Sequence, residues 1–333
     1  MNKKVLMLGG AGFIGSYVAR ELLEHGFQIT IVDNFTKYGF IEHDFFSNPN
    51  CHLKIKDVRA MYPIEFRGFD YVLCFAALIG GIQYFHRFPY QIARDNTKIL
   101  IHAIDSTLAA SPGAIFIYFS SSMAYEHSAR PVTEKDILEQ QVPFTNYGMQ
   151  KLFGEYLVRG AREEFGLNYL IVRPFNIVGG GELPGMNEKG EIEFGMAHVI
   201  PDFVYKALIR QSPFEILGDG EQVRTFTHGK DIASAVRLML EKGIKNEDFN
   251  ICGENSIKMS DLAKMVWEKA NPDLPFPGFK HLPVPPSDVR FRVSISLKAK
   301  EVLGWKPLYD LDAIIEDVIG FIRKNLSELE EEK

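Results

Sequence analysis

The chain has 333 residues, of which 46% are hydrophobic and 24% are charged, so it is long enough to bury a large core. Its formal net charge is −6 and its lysines and arginines are spread along the whole length, so nucleic acid is not an expected partner. The three cysteines have no metal-ligand spacing and no apolar run approaches the roughly 18 residues of a membrane span. We therefore expect buried free thiols, no metal, no membrane attachment and a cytoplasmic location.

Short apolar, β-branched runs alternate with segments of helical period through the first half of the chain. The strand-like runs are VLMLGG (5–10), QITIVD (28–33), DYVLCFAAL (70–78), AIFIYFS (114–120) and NYLIVRPFN (168–176), and the helical segments are 13–25, 89–110 and 147–165. Such alternation is typical of βαβ units and of a parallel sheet covered on both faces. It predicts an α/β fold with a Rossmann-type, doubly wound parallel sheet.

The regular alternation of strand-like and helical segments ends after Asn176, and the composition changes. A Gly/Pro-rich stretch, GGGELPGMNEKGEIEFG (179–195), has the composition of a loop over a site. Helical segments follow after Pro201, at 230–242, at 260–270 and from 311, with a GDG turn, the short strand FNICG and the proline-rich HLPVPPSD between them. We predict a cofactor-binding domain over 1–175, which also receives part of 224–250, and a smaller, mostly helical substrate-binding domain over 176–333.

A glycine tract, GGAGFIG, connects the first predicted strand to the first predicted helix. It fits GxGxxG through Gly10, Gly12 and Gly15, and GxxGxxG through Gly9, Gly12 and Gly15. Glycines at these positions permit a tight turn and let the backbone approach a pyrophosphate at a helix N-terminus. The tract therefore indicates a dinucleotide site.

The second predicted strand ends in Asp33, at the distance from the glycines that a ribose-binding carboxylate requires. A carboxylate there accepts hydrogen bonds from the adenosine ribose hydroxyls and repels a 2′-phosphate, which favours NAD over NADP. The nearby Lys37 keeps NADP open as an alternative. Asp33 also has a purely structural interpretation, as the first residue of an Asp-Asn turn.

Tyr147 and Lys151 stand four residues apart in NYGMQKLFGEYL, so on a helix they share one face. A tyrosine with a pKa near 10 is a poor base at neutral pH, but an adjacent ammonium favours its phenolate form. The stretch FSSSMAYE (119–126) places three hydroxyls at the end of an earlier predicted strand. This combination predicts proton transfer at a hydroxyl, whereas Tyr147 and Lys151 alone would also fit an exposed lysine beside a half-buried tyrosine.

The chain resembles the extended short-chain dehydrogenases/reductases that act on nucleotide sugars. The resemblance covers nearly the whole chain and rests on GGAGFIGS, VDN, FAAL, the serine run, Tyr147-x-x-x-Lys151, VRPFNIVG, GDGEQVRTFTHGKDIASAV, FNICGEN and LGWKP, in that order. It implies that Tyr147 removes a proton from a sugar hydroxyl and that Lys151 holds the nicotinamide ribose. It also implies that Ser121 hydrogen-bonds the reacting oxygen, with Ser122 as the alternative and Ser120 facing away.

The same resemblance implies further contacts. Asn176 and Arg224 would hold the diphosphate and nucleoside side of the substrate, and Arg290 would clamp the diphosphate. The remaining implied contacts are Phe13, Ile14, Asn34, Asp57, Val58, Ala76, Ala77 and Asn96 for NAD, and Gly81 and His198 for substrate. A homodimer is also expected, because the helices at 89–110 and 147–165 carry apolar residues on more than one face, including Ile99, Leu100, Ile104, Tyr156 and Leu157.

The residues after the catalytic serine restrict the reaction. Family members that dehydrate or decarboxylate carry an acidic residue there, whereas this chain has Ser122 and Met123. AALIGGI (76–82) is similar to a stretch of the GDP-mannose 3,5-epimerases and GDP-fucose synthases, and HVIP (198–201) to a stretch of the fucose synthases. The cysteine that these enzymes use for 3,5-epimerisation corresponds to Met123. A thioether cannot exchange a proton. His198 is left as a single acid/base, a substrate contact or a helix cap.

These comparisons predict an NAD-dependent nucleotide-sugar epimerase that works through a 4-keto intermediate. The expected substrate is a GDP- or UDP-sugar. The similarity of AALIGGI and HVIP to enzymes that act on GDP-sugars favours GDP. A 4-dehydrogenase, or a 3,5-epimerase or reductase using His198, is the alternative. A non-enzymatic NAD-sensing protein is disfavoured, because Tyr147 and Lys151 are both present.

Overall fold

The computed structural model describes residues 3–37, 39–184, 197–284 and 289–331. Its strands are β1 (Lys4–Leu8), β2 (Gln28–Asp33), β3 (Cys51–Ile55), β4 (Tyr71–Cys74), β5 (Ile115–Phe119), β6 (Asn168–Pro174), β7 (Ile177–Val178), β8 (Phe214–Leu217), β9 (Val223–Thr225), β10 (Thr227–His228), β11 (Glu247–Ile251), β12 (Ser256–Lys258), β13 (Phe279–Leu282) and β14 (Phe291–Arg292). Its helices are α1 (Phe13–Glu24), α2 (Ile82–Arg87), α3 (Pro89–Ala110), α4 (Asn146–Phe165), α5 (Val199–Leu208), α6 (Gly229–Glu241), α7 (Met259–Ala270) and α8 (Leu311–Glu331).

Seven strands form one parallel sheet, in the order β11-β6-β5-β4-β1-β2-β3. The chain builds outwards from β1 to β3, then returns to the other side of β1 and continues from β4 to β6 and β11. The connections that leave β1 and β4 therefore run in opposite directions from the carboxyl edge of the sheet, which opens a crevice between them. The predicted Rossmann-type, doubly wound α/β fold is confirmed.

Side-chain alternation along β1 explains why the sheet is covered on both faces. Val5 and Met7 pack into a core shared with α1 and α6, whereas Leu6 and Leu8 pack into a core shared with α3 and α4. A strand buried on both faces has no polar side, so its sequence is a continuous apolar run. Polar residues and glycines lie instead where the strands end, at the carboxyl edge of the sheet.

A second core lies beside the large sheet. It is formed by α5, α7 and α8 around residues that include Phe203, Phe214, Leu262 and Ile315. Small sheets of β12-β9-β14, β13-β8 and β10-β7 accompany these helices. β11 joins the large sheet, and α6 packs on α1. The division into two domains at residue 175 stays a prediction.

The predicted helices agree with the structure to within three residues at their starts, while α2, β3 and the short strands β7–β10 and β12–β14 were not predicted. Most of the loop predicted over 179–195, and the second half of HLPVPPSD, lie outside the described residues. The three cysteines are buried free thiols, as predicted. Within the described ranges, none of the helices has the length and apolar character needed to cross a membrane.

A buried ion pair joins β6 of the sheet to α4. The guanidinium of Arg173, which is fully buried on β6, donates to both carboxylate oxygens of Glu155 at 2.7 and 2.6 Å. It also donates to Asp248 on β11 at 2.6 Å. Ser120, next to the predicted catalytic serine, donates to the same Glu155 carboxylate at 2.6 Å. One buried carboxylate thus links α4, β6 and the end of β5.

We expect Arg173→Met to lower the free energy of unfolding by roughly 3–5 kcal/mol, because it leaves the fully buried Glu155 with only the longer, 3.6 Å ion pair to Arg159. Urea denaturation followed by circular dichroism measures this loss. The control is Lys258→Met, which removes a half-exposed pair with Glu221 and should cost much less, because solvent screens such a pair. Equal losses in the two variants would contradict a stabilising role for the buried pair.

Candidate active site

A cavity of about 520 Å³ lies along the carboxyl edge of the sheet. It extends from the glycine tract and the end of β2, past the ends of β4 and β5, to α5, β8 and β9. Of the predicted site residues, all except Asn96 and Arg290 line this cavity. The structure therefore gathers residues from distant parts of the sequence into one site, and their individual roles stay predictions.

The glycine tract is shaped by a close contact between the loops that follow β1 and β4. Gly9 has φ +79°, and a Cβ atom there would lie 2.6 Å from the backbone nitrogen of Ala76. A Cβ atom on Gly15 would lie 2.7 Å from the Gly9 carbonyl oxygen. Only glycine fits either position without displacing the backbone. The contact sets the start of α1 against the wall of the cavity.

The start of α1 provides a site for an anion. Gly12 is its N-cap residue, and within the described chain no side chain caps the first N–H groups of this helix. Gly12, Phe13 and Ile14 all line the cavity. Unpaired N–H groups and the helix dipole favour negative charge at this end. The glycine cradle therefore fits the pyrophosphate of NAD.

Asp33 connects the end of β2 to the glycine tract. Its carboxylate accepts hydrogen bonds from the backbone N–H of Ala11 at 3.1 Å and of Phe35 at 2.9 Å, and it lines the cavity. The bond to Phe35 is the turn that the structural interpretation of Asp33 expects. The two carboxylate oxygens retain further acceptor capacity for ribose hydroxyls. Turn formation and ribose binding are thus compatible at this residue.

The outer part of this end of the cavity is polar. Asn34 donates to Asp57 at 3.4 Å, and the hydrogen bond from the Arg59 guanidinium lowers the pKa of Asp57. Val58 is buried beside them and lines the cavity. Burial lowers the pKa of the Lys37 ammonium, and the charge of Glu182 opposes this shift. A carboxylate of the chain itself therefore already acts on Lys37.

The first turn of α4 is held against the loop that follows β5. The buried Glu126 accepts hydrogen bonds from the backbone N–H and the hydroxyl of Thr145, at 2.9 and 2.5 Å. Thr145 in turn caps α4 by accepting from the N–H of Gly148 at 2.9 Å. A Cβ atom on Gly148 would lie 2.6 Å from the Glu126 carboxylate. These contacts fix Tyr147 beside the serine run.

Tyr147 is buried, and its ring stacks on Phe85 with the centroids 4.4 Å apart. Burial raises the pKa of Tyr147 to about 12, whereas a hydrogen bond with Ser121 and the charge of Arg292 act in the opposite direction. Two polar groups of the site therefore favour the phenolate that a base requires. Phe85 covers the ring from α2.

Lys151 lies one turn further along α4. Its Nζ donates to the carbonyl of Phe119 at 2.8 Å and lies 5.8 Å from the centre of the Tyr147 ring. Burial lowers the pKa of Lys151 to about 8. The ammonium is thus held at the end of β5, close to the tyrosine, as the spacing of the two residues predicts.

The three serines at the end of β5 have different surroundings. Ser121 is hydrogen-bonded with Tyr147, and its Oγ also accepts from the N–H of Met123 at 3.1 Å. The Ser120 hydroxyl donates to Glu155, away from the tyrosine, as strand alternation predicts. Ser122 is buried and lines the cavity. The geometry favours Ser121 as the hydroxyl that works with Tyr147.

The predicted substrate residues line the other end of the cavity, except for Arg290. Asn176 donates to the Thr225 carbonyl at 2.6 Å, and Arg224 donates to the carbonyls of Val223 and Val289. Gly81 is the N-cap residue of α2. His198 is the N-cap residue of α5, but its side chain makes no capping bond; instead Nδ1 lies 2.7 Å from the carboxylate of Glu182.

The two predicted site residues outside the cavity have structural partners. Asn96 accepts from the N–H of Leu78 at 2.6 Å and donates to the carbonyl of Leu78 at 3.0 Å. It thereby supports the loop that carries Ala76 and Ala77. Arg290 is exposed and pairs with Asp219 of the GDG turn at 2.8 and 2.9 Å. Arg292 lines the cavity instead.

Three residues at the site did not emerge from the sequence. Arg292 lies in the same VRFR stretch as Arg290. The resemblance of this stretch to the family indicated an arginine at the site, but it could not show which of the two arginines lines the cavity. Glu182 follows three glycines and is buried behind His198, whose charge and hydrogen bond outweigh burial and hold its pKa below the ordinary value. Phe85 belongs to α2, which the sequence pattern did not predict.

Comparisons with known proteins place this chain among relatives of one family. The family model described as "NAD dependent epimerase/dehydratase family" matches residues 5–252. A putative UDP-glucose 4-epimerase of Methanocaldococcus jannaschii is 29% identical, over 96% of this chain and 99% of that protein. A GDP-mannose 3,5-epimerase of Arabidopsis thaliana is 31% identical, over 92% of this chain and 78% of that protein. The structure of a UDP-glucose 4-epimerase from Thermotoga maritima with UDP-glucose superposes with a TM-score of 0.81, at 28% identity, over 97% of this chain and 99% of that one.

The buried ammonium of Lys151 should destabilise the fold at neutral pH. A pKa of about 8 in place of 10.5 corresponds to a cost of about 3 kcal/mol for the charged form in the folded protein. Methionine avoids this cost but loses the hydrogen bond to the Phe119 carbonyl, which stabilises the fold by about 1 kcal/mol. We therefore expect Lys151→Met to be about 2 kcal/mol more stable than wild type at pH 7.

This difference should depend on pH in a defined direction. The pKa of Lys151 is lower in the folded state than in the unfolded state, so the unfolded state binds more protons between about pH 8 and 10.5. The free energy of unfolding of the wild type therefore rises with pH in this range, and its difference from the variant decreases. Urea denaturation of both proteins at several pH values measures the gap. A gap that stays constant from pH 7 to 10.5 would contradict a buried, titrating Lys151.

Proposed function

This chain belongs to the NAD dependent epimerase/dehydratase family, and from that membership we propose that it interconverts nucleoside-diphosphate sugars that differ in configuration at C4. NAD is the cofactor of the family, and when bound it takes a hydride from the sugar carbon and returns it. The observation that carries the proposal is the grouping of Ser121, Tyr147 and Lys151 at one end of β5, beside a residue, Met123, that cannot exchange protons.

The chain's own residues would act mainly on protons and charge. Tyr147 would take the proton of the C4 hydroxyl and later return it, while the Ser121 hydroxyl binds the C4 oxygen. Burial opposes ionisation of the phenol, whereas the hydrogen bond with Ser121 and the charge of Arg292 lower the pKa of Tyr147. The Lys151 ammonium, 5.8 Å from the centre of the tyrosine ring, is a further cation that would favour the phenolate. The 4-keto sugar would then turn within the cavity, so that its opposite face is presented for reduction.

The surroundings of Met123 support C4 chemistry over reactions at neighbouring carbons. Its Sδ lies 2.6 Å from Nη1 of Arg292. Neither a thioether nor a guanidinium serves as a base near neutral pH. Dehydration, decarboxylation and two-base epimerisation each need an additional acid or base near the sugar. Position 123 does not supply one.

A second candidate function is supported by His198. The Glu182 carboxylate binds His198 through Nδ1, which directs the tautomer and leaves Nε2 for proton exchange. A carboxylate behind a histidine is a common arrangement for a general acid or base. A 3,5-epimerase or reductase that uses His198 is therefore the alternative.

The cavity also fits the proposed class of substrate. Its end beyond Arg224 is lined by Phe203, Ile216, Leu217, Leu282 and Val284, with Gln222 among them, which would suit a nucleobase. The matched proteins act, by their names, on a UDP-sugar or a GDP-sugar. We propose a nucleoside-diphosphate sugar as substrate and treat uracil and guanine as the two bases to be tested.

We also propose that the chain forms a homodimer through α3 and α4. Ile101, Phe153 and Tyr156 on these helices are exposed large apolar residues. Leu100 and Ile104, in contrast, are buried against the sheet. An exposed apolar face across two neighbouring helices is typical of a helix-packing interface.

Purified protein supplied with NAD and a panel of UDP- and GDP-hexoses should form the C4 epimer without net NADH. Running the reaction in D₂O separates the candidates. A 4-epimerase returns hydrogen from the cofactor and leaves the carbon-bound positions free of solvent deuterium, whereas 3,5-epimerisation incorporates deuterium at C3 or C5. Stoichiometric NADH with a keto product would indicate a 4-dehydrogenase.

Tyr147→Phe should fold and bind NAD but lose turnover by about 10²–10⁴-fold, because the ring is kept and only the acid/base hydroxyl is removed. Initial rates, with equilibrium dialysis of NAD, measure the two effects. Tyr90→Phe is the matched control, since Tyr90 is exposed on α3 and does not line the cavity. Turnover of Tyr147→Phe within a factor of two of wild type would rule out the assigned role.

A further inference from the structure

His43 connects the segment between β2 and β3 to the glycine tract. Its Nε2 lies 3.0 Å from the carbonyl oxygen of Ala11, the third residue of GGAGFIG. Because a carbonyl oxygen can only accept a hydrogen bond, Nε2 carries the hydrogen and donates it. Ala11 and Gly12 line the cavity, whereas His43 lies outside its lining. An effect of His43 on the cavity therefore passes through the backbone of Ala11.

The peptide group between Ala11 and Gly12 is held at both of its ends. Its carbonyl accepts from His43, and its N–H donates to the Gly9 carbonyl at 3.3 Å. The N–H of Ala11, in the preceding peptide group, donates to the Asp33 carboxylate at 3.1 Å. These partners fix two successive peptide groups just before the first turn of α1, whose N-cap residue is Gly12. The N–H groups of that turn follow directly, so their position depends on this arrangement.

The imidazole ring of His43 is itself held by two phenylalanines. It stacks on Phe45, with the ring centroids 4.8 Å apart and the planes inclined by 10°. Phe46 packs edge-on against it, with a centroid distance of 5.2 Å. Phe45 is buried in the core that includes α1, and the guanidinium of Arg20, on α1, lies 5.5 Å from the centre of its ring. The Nε2 donor is therefore presented to Ala11 from a fixed position.

The hydrogen bond matters most when the glycine cradle is occupied. Ala11 is buried, so its carbonyl costs free energy when the donor is removed. The protein without cofactor can relieve this cost by shifting the tract, whereas a bound pyrophosphate requires the N–H groups in one arrangement. The cost of losing the donor is then measured as lost affinity for the cofactor.

We propose that His43 is a positioning residue of the cofactor site, which holds the glycine cradle through the Ala11 carbonyl in the shape that binds the pyrophosphate of NAD. The role goes beyond the proposed epimerisation, because it concerns the cofactor of the family and is independent of the sugar.

Binding of NAD to variants that separate the imidazole ring from its donor tests the proposal without turnover. His43→Phe keeps an aromatic ring beside Phe45 and removes the N–H group. His43→Gln loses the ring but can place its amide N–H where Nε2 lies. By isothermal titration calorimetry, His43→Phe should lower NAD affinity about five- to twentyfold, and His43→Gln should stay within about twofold of wild type.

Two further variants complete the set. His43→Asn carries the same amide on a side chain one methylene shorter, so it cannot reach the Ala11 carbonyl and should lose affinity as His43→Phe does. It takes the place of His43→Phe if that variant does not fold. His52→Phe is the matched control, since His52 is exposed on β3 and does not line the cavity, and it should leave NAD affinity unchanged.

Two results would overturn the proposal. The first is NAD affinity of His43→Phe within twofold of wild type. The second is an equal loss in His43→Gln and His43→Phe, which would assign the effect to the imidazole ring and not to the hydrogen bond with Ala11. All variants are compared at a temperature where circular dichroism shows them folded, so lost affinity is not lost fold. No sugar is present, so failure of the proposed 4-epimerisation would leave this result unchanged.

Discussion

The cofactor end of the cavity depends on the close contact between Gly9 and the backbone of Ala76. It occurs where the order of the sheet reverses, so it brings the loops after β1 and β4 together at the base of the crevice. A side chain on Gly9 would separate these loops. The start of α1, the ribose-side carboxylate of Asp33 and the wall formed by Ala76 and Ala77 all depend on this approach.

Two kinds of buried charge lie on α4: a paired carboxylate, which stabilises the fold, and an ammonium next to Tyr147, which destabilises it. Arg173 and Glu155 are paired and fully buried, so they hold α4 against the sheet. Lys151, on the same helix as Glu155, has a backbone carbonyl as its partner and a lowered pKa. The first arrangement supports the position of α4, and the second keeps an ammonium close to Tyr147 at a cost in stability, as is common at functional sites.

The chemistry of the site depends as much on what surrounds Tyr147 as on Tyr147 itself. Ser121 is hydrogen-bonded with Tyr147, the Lys151 ammonium lies 5.8 Å from the centre of the tyrosine ring, and Phe85 covers that ring. Met123, two residues after Ser121, has no proton to exchange and contacts the Arg292 guanidinium. The proposal of redox at a single sugar carbon rests on these surroundings.

The sequence by itself determined most strands of the large sheet, the main helices and the residues of the cavity around the glycine tract and Tyr147. These features follow from local patterns: apolar runs for strands buried on both faces, helical periodicity, glycines at a strand-helix turn, and the four-residue spacing of Tyr147 and Lys151. Only the tertiary structure decided between Arg290 and Arg292, because Asp219, far away in the sequence, takes the first of them. It likewise paired Glu182 with His198 and stacked Phe85 on Tyr147. Pairings across long sequence separations are set by packing, and no local periodicity records them.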